Sequence, residues 1–331
     1  MKKYHIYGIG AALVDTEVVV TDSFLSKNKI DKGVMTLVDE ARQLDLLNAL
    51  DALTTQVKLQ CGGSACNSIV AASYFGSKTF YSGKVADDDD GKFFVNDLQK
   101  SGVDFHNAEA NSGVTGKCLV MVTKDAGRTM NTFLGASLEL TYDEVDEPAL
   151  TNSEWLYLEG YLVTDEARTD LAIRAMEFAK SKQVKTSISL SDPFVVQLFE
   201  KNLRKVIGDG VDLMFCNYDE ALSFTKTSSA EQAAEELVKY AKVVVITLGA
   251  DGSLCYDGSN MMHTHSAVVK AVDSNGAGDM YAGAFLYAIN AGHSYALAAK
   301  LANQAASKVV SQFGPRIDII EYQKMKKLFD I

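Results

Sequence analysis

The sequence predicts an α/β fold, with a mostly parallel central sheet covered by helices on both faces and a small β-sheet lid above it. Two observations predict this. Short β-rich runs alternate with amphipathic stretches along most of the 331 residues, the pattern of βαβ units. Two regions, about 16–38 and 113–137, break the alternation and supply the material for the lid.

The expected strands begin with 'YHIYGIG' (4–10) and 'KTFYSGKV' (78–85) and continue with 'WLYLEG' (155–160) and 'KTSISLS' (185–191). 'DLMFCN' (212–217) and 'KVVVITLG' (242–249) complete the series. Between them, 'DEARTDLAIRAMEFAKSK' (165–182) repeats apolar residues at three and four, as one face of a helix does. 'SSAEQAAEELVKYAK' (228–242) opens with a serine cap and early glutamates, a helix start. 'TGKCLVMVTKDAGRTMNTFLGAS' (115–137) makes two strands about a 'DAGR' turn, an antiparallel hairpin. Only three prolines, no low-complexity run and no internal repeat leave one domain, 1–331, with its lid formed by about 16–38 and 113–137.

A net charge of −11 argues against a nucleic-acid-binding surface. The five cysteines are odd in number and lack C-x-x-C spacing, which argues against a disulfide framework or zinc site and for a reducing compartment. In 'MKKYHIYGIGAALVD' the apolar run is interrupted too early for a secretion signal, and no stretch approaches a membrane span. The expectation is a soluble, cytoplasmic protein with no membrane partner.

The most unusual stretch is 'DSNGAGDMYAGAFL' (273–286). Gly276, Ala277 and Gly278 expose several N–H groups at a helix start, where the dipole also favours an anion, so phosphate-like oxygens suit the spot. Asp279, in the first turn, could take a proton from an attacking hydroxyl. A tight turn with a capping aspartate is the plainer alternative, and the stretch alone leaves both open. 'CGGSACNS' (61–68) offers a second side-chain-poor helix start, with Asn67 pointing from the first turn toward whatever Gly62 and Gly63 admit. Close helix–sheet packing is the plainer alternative there.

'GIGAALVD' fails the dinucleotide fingerprint at Leu13, leaving Asp15 as a carboxylate able to bind a pair of hydroxyls. No Walker motif occurs. 'NYDEA' (217–221) places Asn217 and Glu220 after a strand, where an amide and a carboxylate can hold a hydrated Mg²⁺ or simply cap a helix. 'TLGADGS' (247–253) ends a strand with Thr247, Gly249 and Gly252, a phosphate cradle or a plain turn. 'DDDDG' (87–91) aligns poorly with a calcium loop and fits a helix start. 'HTH' (263–265) fits a surface strand better than a metal site, and without G-x-S-x-G a hydrolase triad lacks support.

Together, 'GGSACNS' and 'DSNGAGDMYAGAF', with 'GAALVD', 'NYDEA' and 'TLGADGS' in order between and around them, resemble the ribokinase (PfkB) family of carbohydrate kinases over nearly the whole chain. The resemblance implies a ribokinase-like three-layer α/β/α sandwich with a β-sheet lid, and an ATP- and Mg²⁺-dependent kinase. It implies Asp279 as catalytic base and Gly276, Ala277 and Gly278 as an anion hole, with Arg128 approaching the phosphates from the lid. Asp15, Gly62, Gly63 and Asn67 would bind the acceptor. Asn217, Thr247, Gly249, Gly252 and Asn275 would lie along ATP, with Glu220 and Asn217 organising the metal through water. Asn275 in the second motif, 'GKVADDDDGKFF' and 'LSDPF' resemble the adenosine-kinase branch, which favours a nucleoside and makes Phe133 the candidate stacking residue. A free sugar such as ribose or fructose is the alternative acceptor, and a non-catalytic nucleotide or sugar sensor a further one. Ala11 and Ser274 depart from the residues common in the family. The family also allows a K⁺ site near Asp273, and either a monomer or a homodimer.

Overall fold

The computed structural model describes residues 2–51, 57–107 and 113–330. Among the described residues the chain forms β1 (Tyr4–Ile9), β2 (Leu13–Val19), β3 (Met35–Leu37), β4 (Val57–Gly62) and β5 (Thr79–Gly83). It continues with β6 (Val103–Asn107), β7 (Gly116–Val122), β8 (Arg128–Phe133), β9 (Ser153–Glu159) and β10 (Lys185–Ser189). Last come β11 (Val211–Asn217), β12 (Ala241–Thr247), β13 (Ser253–Tyr256) and β14 (Met261–Thr264).

Nine strands form the central sheet in the order β14-β13-β12-β11-β10-β9-β1-β5-β6. From β12 to β6 every neighbour is parallel, and β13 and β14 add an antiparallel hairpin at one edge. Both faces are buried, as parallel sheets require. On β9, Trp155 and Tyr157 enter one core with the helices Ser64–Phe75, Ala277–Asn290 and Tyr295–Val310. Leu156 and Leu158, pointing the opposite way, join the helices Glu166–Ser181, Pro193–Ile207 and Ala230–Leu237. This is the expected three-layer arrangement.

The six expected strands form at their expected places. The helix expected over 165–182 runs Glu166–Ser181 with Asp165 as its cap. The helix begun by Ser229 stops at Leu237, short of the expected end, because the chain must turn into β12.

The second sheet has the order β3-β8-β7-β2-β4. Regions 16–38 and 113–137 supply four of its strands, with β7 and β8 antiparallel around the 'DAGR' turn. The fifth, β4, escaped the sequence reading because its alternation is inverted: Gln60 is buried while Leu59 is 54% exposed. One face of this sheet packs Val18, Leu119 and Met121 against Leu25, Leu46 and Leu50 of two covering helices. The other face carries Leu13, Cys118 and Val120 toward the central sheet. A cleft lies between, at the carboxyl ends of β1, β9, β10, β11 and β12, where open parallel sheets place their ligands.

Candidate active site

Asp279 sits in the first turn of the helix Ala277–Asn290 and lines the cleft. Gly276 precedes that helix at φ 70°, and a Cβ there would lie 2.2 Å from Pro315, so only glycine fits. Gly278 is different: nothing lies within 4 Å of where its Cβ would stand. Ala277 donates its N–H to the Ser274 carbonyl at 3.4 Å, whereas the Gly276 and Gly278 N–H groups find no acceptor among the described residues, so this helix start keeps unspent amides in a segment that lines the cleft. Ser64 donates its hydroxyl to one Asp279 oxygen at 2.6 Å, and the Asn67 amide approaches the other at 3.4 Å. The surrounding protein strips water from Asp279 and pushes its carboxyl up to about 6, while Ser64, the Arg128 charge and Asn67 hold it from rising further.

Asp15 reaches the same spot from β2. A Cβ on Gly62 would fall 2.0 Å from the Asp15 carboxyl carbon, so Gly62 makes room for that carboxylate rather than lining the cleft itself. Gly63 lines the cleft at φ 101°, and a Cβ there would meet the Ala11 carbonyl oxygen at 2.1 Å. Burial raises Asp15 to about 7 against the pull of Arg316; Asp279 adds to the rise and Asn67 opposes it. Asn67 Oδ1 is buried without a hydrogen-bond partner, an acceptor turned toward neither backbone nor side chain.

Asn217 and Glu220 line the cleft and form a complete capping box. The Glu220 N–H donates to Asn217 Oδ1 at 2.8 Å, and Asn217 donates through N and Nδ2 to the two Glu220 oxygens at 3.0 and 2.6 Å. Burial lifts Glu220 to about 8. Thr247 also lines the cleft, at the end of β12. Asn275 donates its backbone N–H to Asp273 at 2.8 Å and its side-chain amide to Glu17 of β2 at 3.3 Å, tying the glycine turn to the second sheet.

Besides Gly62, three expected positions fall elsewhere. Gly249 and Gly252 flank a short 3₁₀ turn outside the cleft lining; a Cβ on Gly252 would strike the Thr264 carbonyl oxygen at 2.0 Å, so its role is packing. Phe133 is the third. On β8 the cleft is lined by Arg128, Met130 and Thr132, and strand alternation turns Phe133 to the opposite face. The cleft side of the second sheet is aliphatic and sulfur-rich instead, with Leu13, Met35, Leu37, Cys118, Val120 and Met130.

Two charged cleft residues escaped the sequence reading. Glu159 ends the apolar strand β9 and accepts the N–H groups of Ala11 and Ala65 at 2.8 and 2.7 Å, bracing both loops that carry Asp15 and Asn67. Burial raises it to about 7. An acid closing an apolar run at a parallel strand's carboxyl end was the available signal. Arg168 lies in the first turn of the helix Glu166–Ser181, where its charge opposes the dipole, yet it is only 2% exposed. In sequence it passes for an ordinary surface residue of an amphipathic helix.

The remaining motifs are structural. Asp88 caps the helix Asp89–Lys100 by accepting the Gly91 N–H at 2.7 Å. His263 is exposed and lies 3.5 Å from Glu231. The five cysteines are buried and unpaired. Among the described residues no group of three metal-ligating side chains occurs, and no helix is long and apolar enough to cross a membrane.

Comparison with known proteins places this geometry. A profile of the pfkB family carbohydrate kinases matches residues 29–321. The crystal structure of adenosine kinase from Sinorhizobium meliloti superposes with a TM-score of 0.90 at 33% identity, covering 97% of this chain and 99% of that one. Adenosine kinase of Saccharomyces cerevisiae is 25% identical over 327 residues, 93% of this chain and 95% of its own. The 5-dehydro-2-deoxygluconokinase of Bacillus velezensis is 27% identical over 282 residues, 79% of this chain and 86% of its own. The sequence match, the shared architecture and the carboxylate set beside a side-chain-free helix start agree: the chain belongs to the pfkB family of carbohydrate kinases, phosphotransferases that act on an alcohol group.

Proposed function

We propose that the protein transfers the γ-phosphoryl group of ATP to the primary, 5′-type hydroxyl of a nucleoside, with adenosine favoured. The observation that carries the chemistry is Asp279, held by Ser64 and Asn67 at the foot of a turn that faces open cleft. In this reading Asp279 accepts the hydroxyl proton as the acceptor oxygen attacks phosphorus and ADP departs. The amides of Gly276, Ala277 and Gly278 face the charge that builds on the transferred group, and such fixed donors are worth several kcal/mol, on the order of 100- to 1000-fold each. Asp15 and Asn67 grip the ribosyl hydroxyls; the unpartnered Asn67 Oδ1 is an acceptor that a hydroxyl would satisfy.

ATP would lie along Asn217, Thr247 and Asn275, with Arg128 of the second sheet closing from above as that sheet acts as a lid. Mg²⁺, when bound with ATP, neutralises phosphate oxygens and keeps most of its waters. Asn217 and Glu220 fit it through such waters: their side chains are engaged with one another in the capping box, and burial raises Glu220 although the Asn217 N–H and the Arg128 charge pull it down.

The choice of nucleoside over free sugar rests on the apolar second-sheet side of the cleft. Met35, Leu37, Val120 and Met130 give a planar base an aliphatic and sulfur surface, whereas a free sugar would leave hydroxyls unpaired against it. Coverage of nearly the full chain by adenosine kinases points the same way. ADP release from Mg·ATP against adenosine, inosine, guanosine, ribose and fructose tests it. Turnover confined to ribose or fructose would keep the kinase and discard the nucleoside, and ATP binding without turnover on any acceptor would favour a sensor.

A further inference from the structure

The cleft is lined by four carboxylates, Asp15, Glu159, Glu220 and Asp279, and by two guanidinium groups, Arg128 and Arg168. Arg128 enters from the second sheet, and a substrate-facing role for it was expected from sequence. Arg168 belongs to the central domain, and nothing in the sequence or the comparisons gives it a role. Its Nε donates to Asp165 and its Nη2 to Thr164 at 2.9 Å. Nη1 finds no protein acceptor among the described residues, although the side chain is 2% exposed and lines the cleft.

A buried guanidinium costs desolvation energy, and one with donors left over costs more. A guanidinium carries five N–H donors, and here those of Nη1 are left over among the described residues. Asp165 and Thr164 fix the fork from behind, on the first turn of a helix, with one edge free toward the cleft. That is how a pre-positioned anion contact is built.

Its place in the sheet says which anion. Asn217 and Thr247 stand at the ends of β11 and β12, and Asp15 follows β1. Arg168 follows β9, which lies between β11 and β1 in the strand order. A group passed from nucleotide to acceptor must cross this interval. The proposed acceptor is neutral, so the polyphosphate is the anion that reaches it.

We propose that Arg168 is a second arginine of the reaction, a fixed ligand of the γ-phosphoryl group during transfer, opposite the lid-borne Arg128. The inference deepens the kinase reading and rests on it. In the balanced step, the bond from Pγ to the bridging oxygen of ADP breaks as the bond to the acceptor oxygen forms. Arg168 donates hydrogen bonds to the non-bridging oxygens and is unchanged at the end.

The test compares wild type with Arg168→Met, Arg168→Lys and Arg168→Ala, measuring Mg·ATP and Mg·ADP affinity by calorimetry and turnover with adenosine. The expected result is a fall in kcat on the order of 100-fold or more, ATP binding weakened about tenfold, and ADP binding held within about twofold. Added guanidinium should restore part of the Arg168→Ala rate. Thermal melting identifies any variant that fails to fold, and Arg168→Lys, which keeps charge and most of the volume, then carries the comparison. Equal loss of ATP and ADP affinity, a rise in acceptor KM with kcat unchanged, or kcat within threefold of wild type would each overturn the assignment. Because the binding arm needs no turnover, it tests the contact with the γ-phosphoryl group even where wild type phosphorylates none of the acceptors; that outcome would sink the proposed acceptor alone.

Discussion

Two helix starts in this chain look alike in sequence and differ in what their glycines do. In 'CGGSACN', Gly62 and Gly63 are packed against protein: one clears the Asp15 carboxylate and the other the Ala11 carbonyl. In 'NGAGD', Gly276 is packed against Pro315, but Gly278 touches nothing. The first pair brings a carboxylate and a backbone loop close together; the second site leaves the Gly276 and Gly278 amides without an acceptor among the described residues. A glycine that a Cβ could replace without any clash, at a helix start lining a cleft, is evidence of a ligand, whereas a glycine pinned by its neighbours is evidence only of packing.

That contrast can be broken most sharply by two alanines. Gly278→Ala should fold as well as wild type, since the methyl group meets only cleft, yet lower kcat on the order of 100-fold by crowding the anion site. Gly62→Ala should do the reverse at its root, destabilising the fold by about 1–3 kcal/mol through overpacking against Asp15. Melting curves and kcat measured on both variants check this. Equal stability loss in the two would erase the distinction.

The protonation of the cleft gives the next effect. With Asp279 at about 6 in the free protein, kcat/KM should rise about tenfold per pH unit on the acid side and level off above that value. A profile flat from pH 5 to 8 would remove Asp279 as the base.

Stability should run in the opposite direction. Asp15, Glu159, Glu220 and Asp279 all hold protons more tightly folded than unfolded. Their contribution is therefore fully present below the unfolded carboxylate range and is lost as pH rises through about 6 to 8. The ligand-free protein should melt at lower temperature at pH 8 than at pH 5.5, and Asp279→Asn should reduce that difference by removing one titrating group. Mg·ATP should narrow it as well.

The smallest expected effect is at Asn217. Asn217→Ala removes the capping box of the helix Tyr218–Thr225 at a cost of about 1 kcal/mol. It should also raise KM for ATP a few-fold, measured by steady-state kinetics. A loss of stability with KM unchanged would leave Asn217 a cap and nothing more.

The parallel strands and the glycine turn before Asp279 were legible because each carries a local signal, an apolar run or a loss of side chains at a helix start. β4 was not, because at the edge of the second sheet it buries Gln60 and exposes Leu59, the reverse of the usual alternation. Phe133 was misplaced for a related reason. Its face is set by the parity of β8, and parity depends on where the hairpin turn ends, at Arg128. Glu159 carried a signal that was passed over, an acid closing an apolar strand, whereas Arg168 was hidden more deeply. Its place in the cleft depends on which strands neighbour β9, a fact of topology that no window of sequence contains.

The central claim is that Asp279 beside its bare amides performs phosphoryl transfer. It is tested most directly by measuring adenosine-dependent ADP release from Asp279→Asn beside wild type, with Mg·ATP affinity determined for both. The account predicts ATP binding within a few-fold of wild type and turnover lower by on the order of 1000-fold, because the proton has no acceptor. Turnover within tenfold of wild type would contradict it, and would leave the aspartate a hydrogen-bond partner of Ser64 and Asn67 with no part in the chemistry.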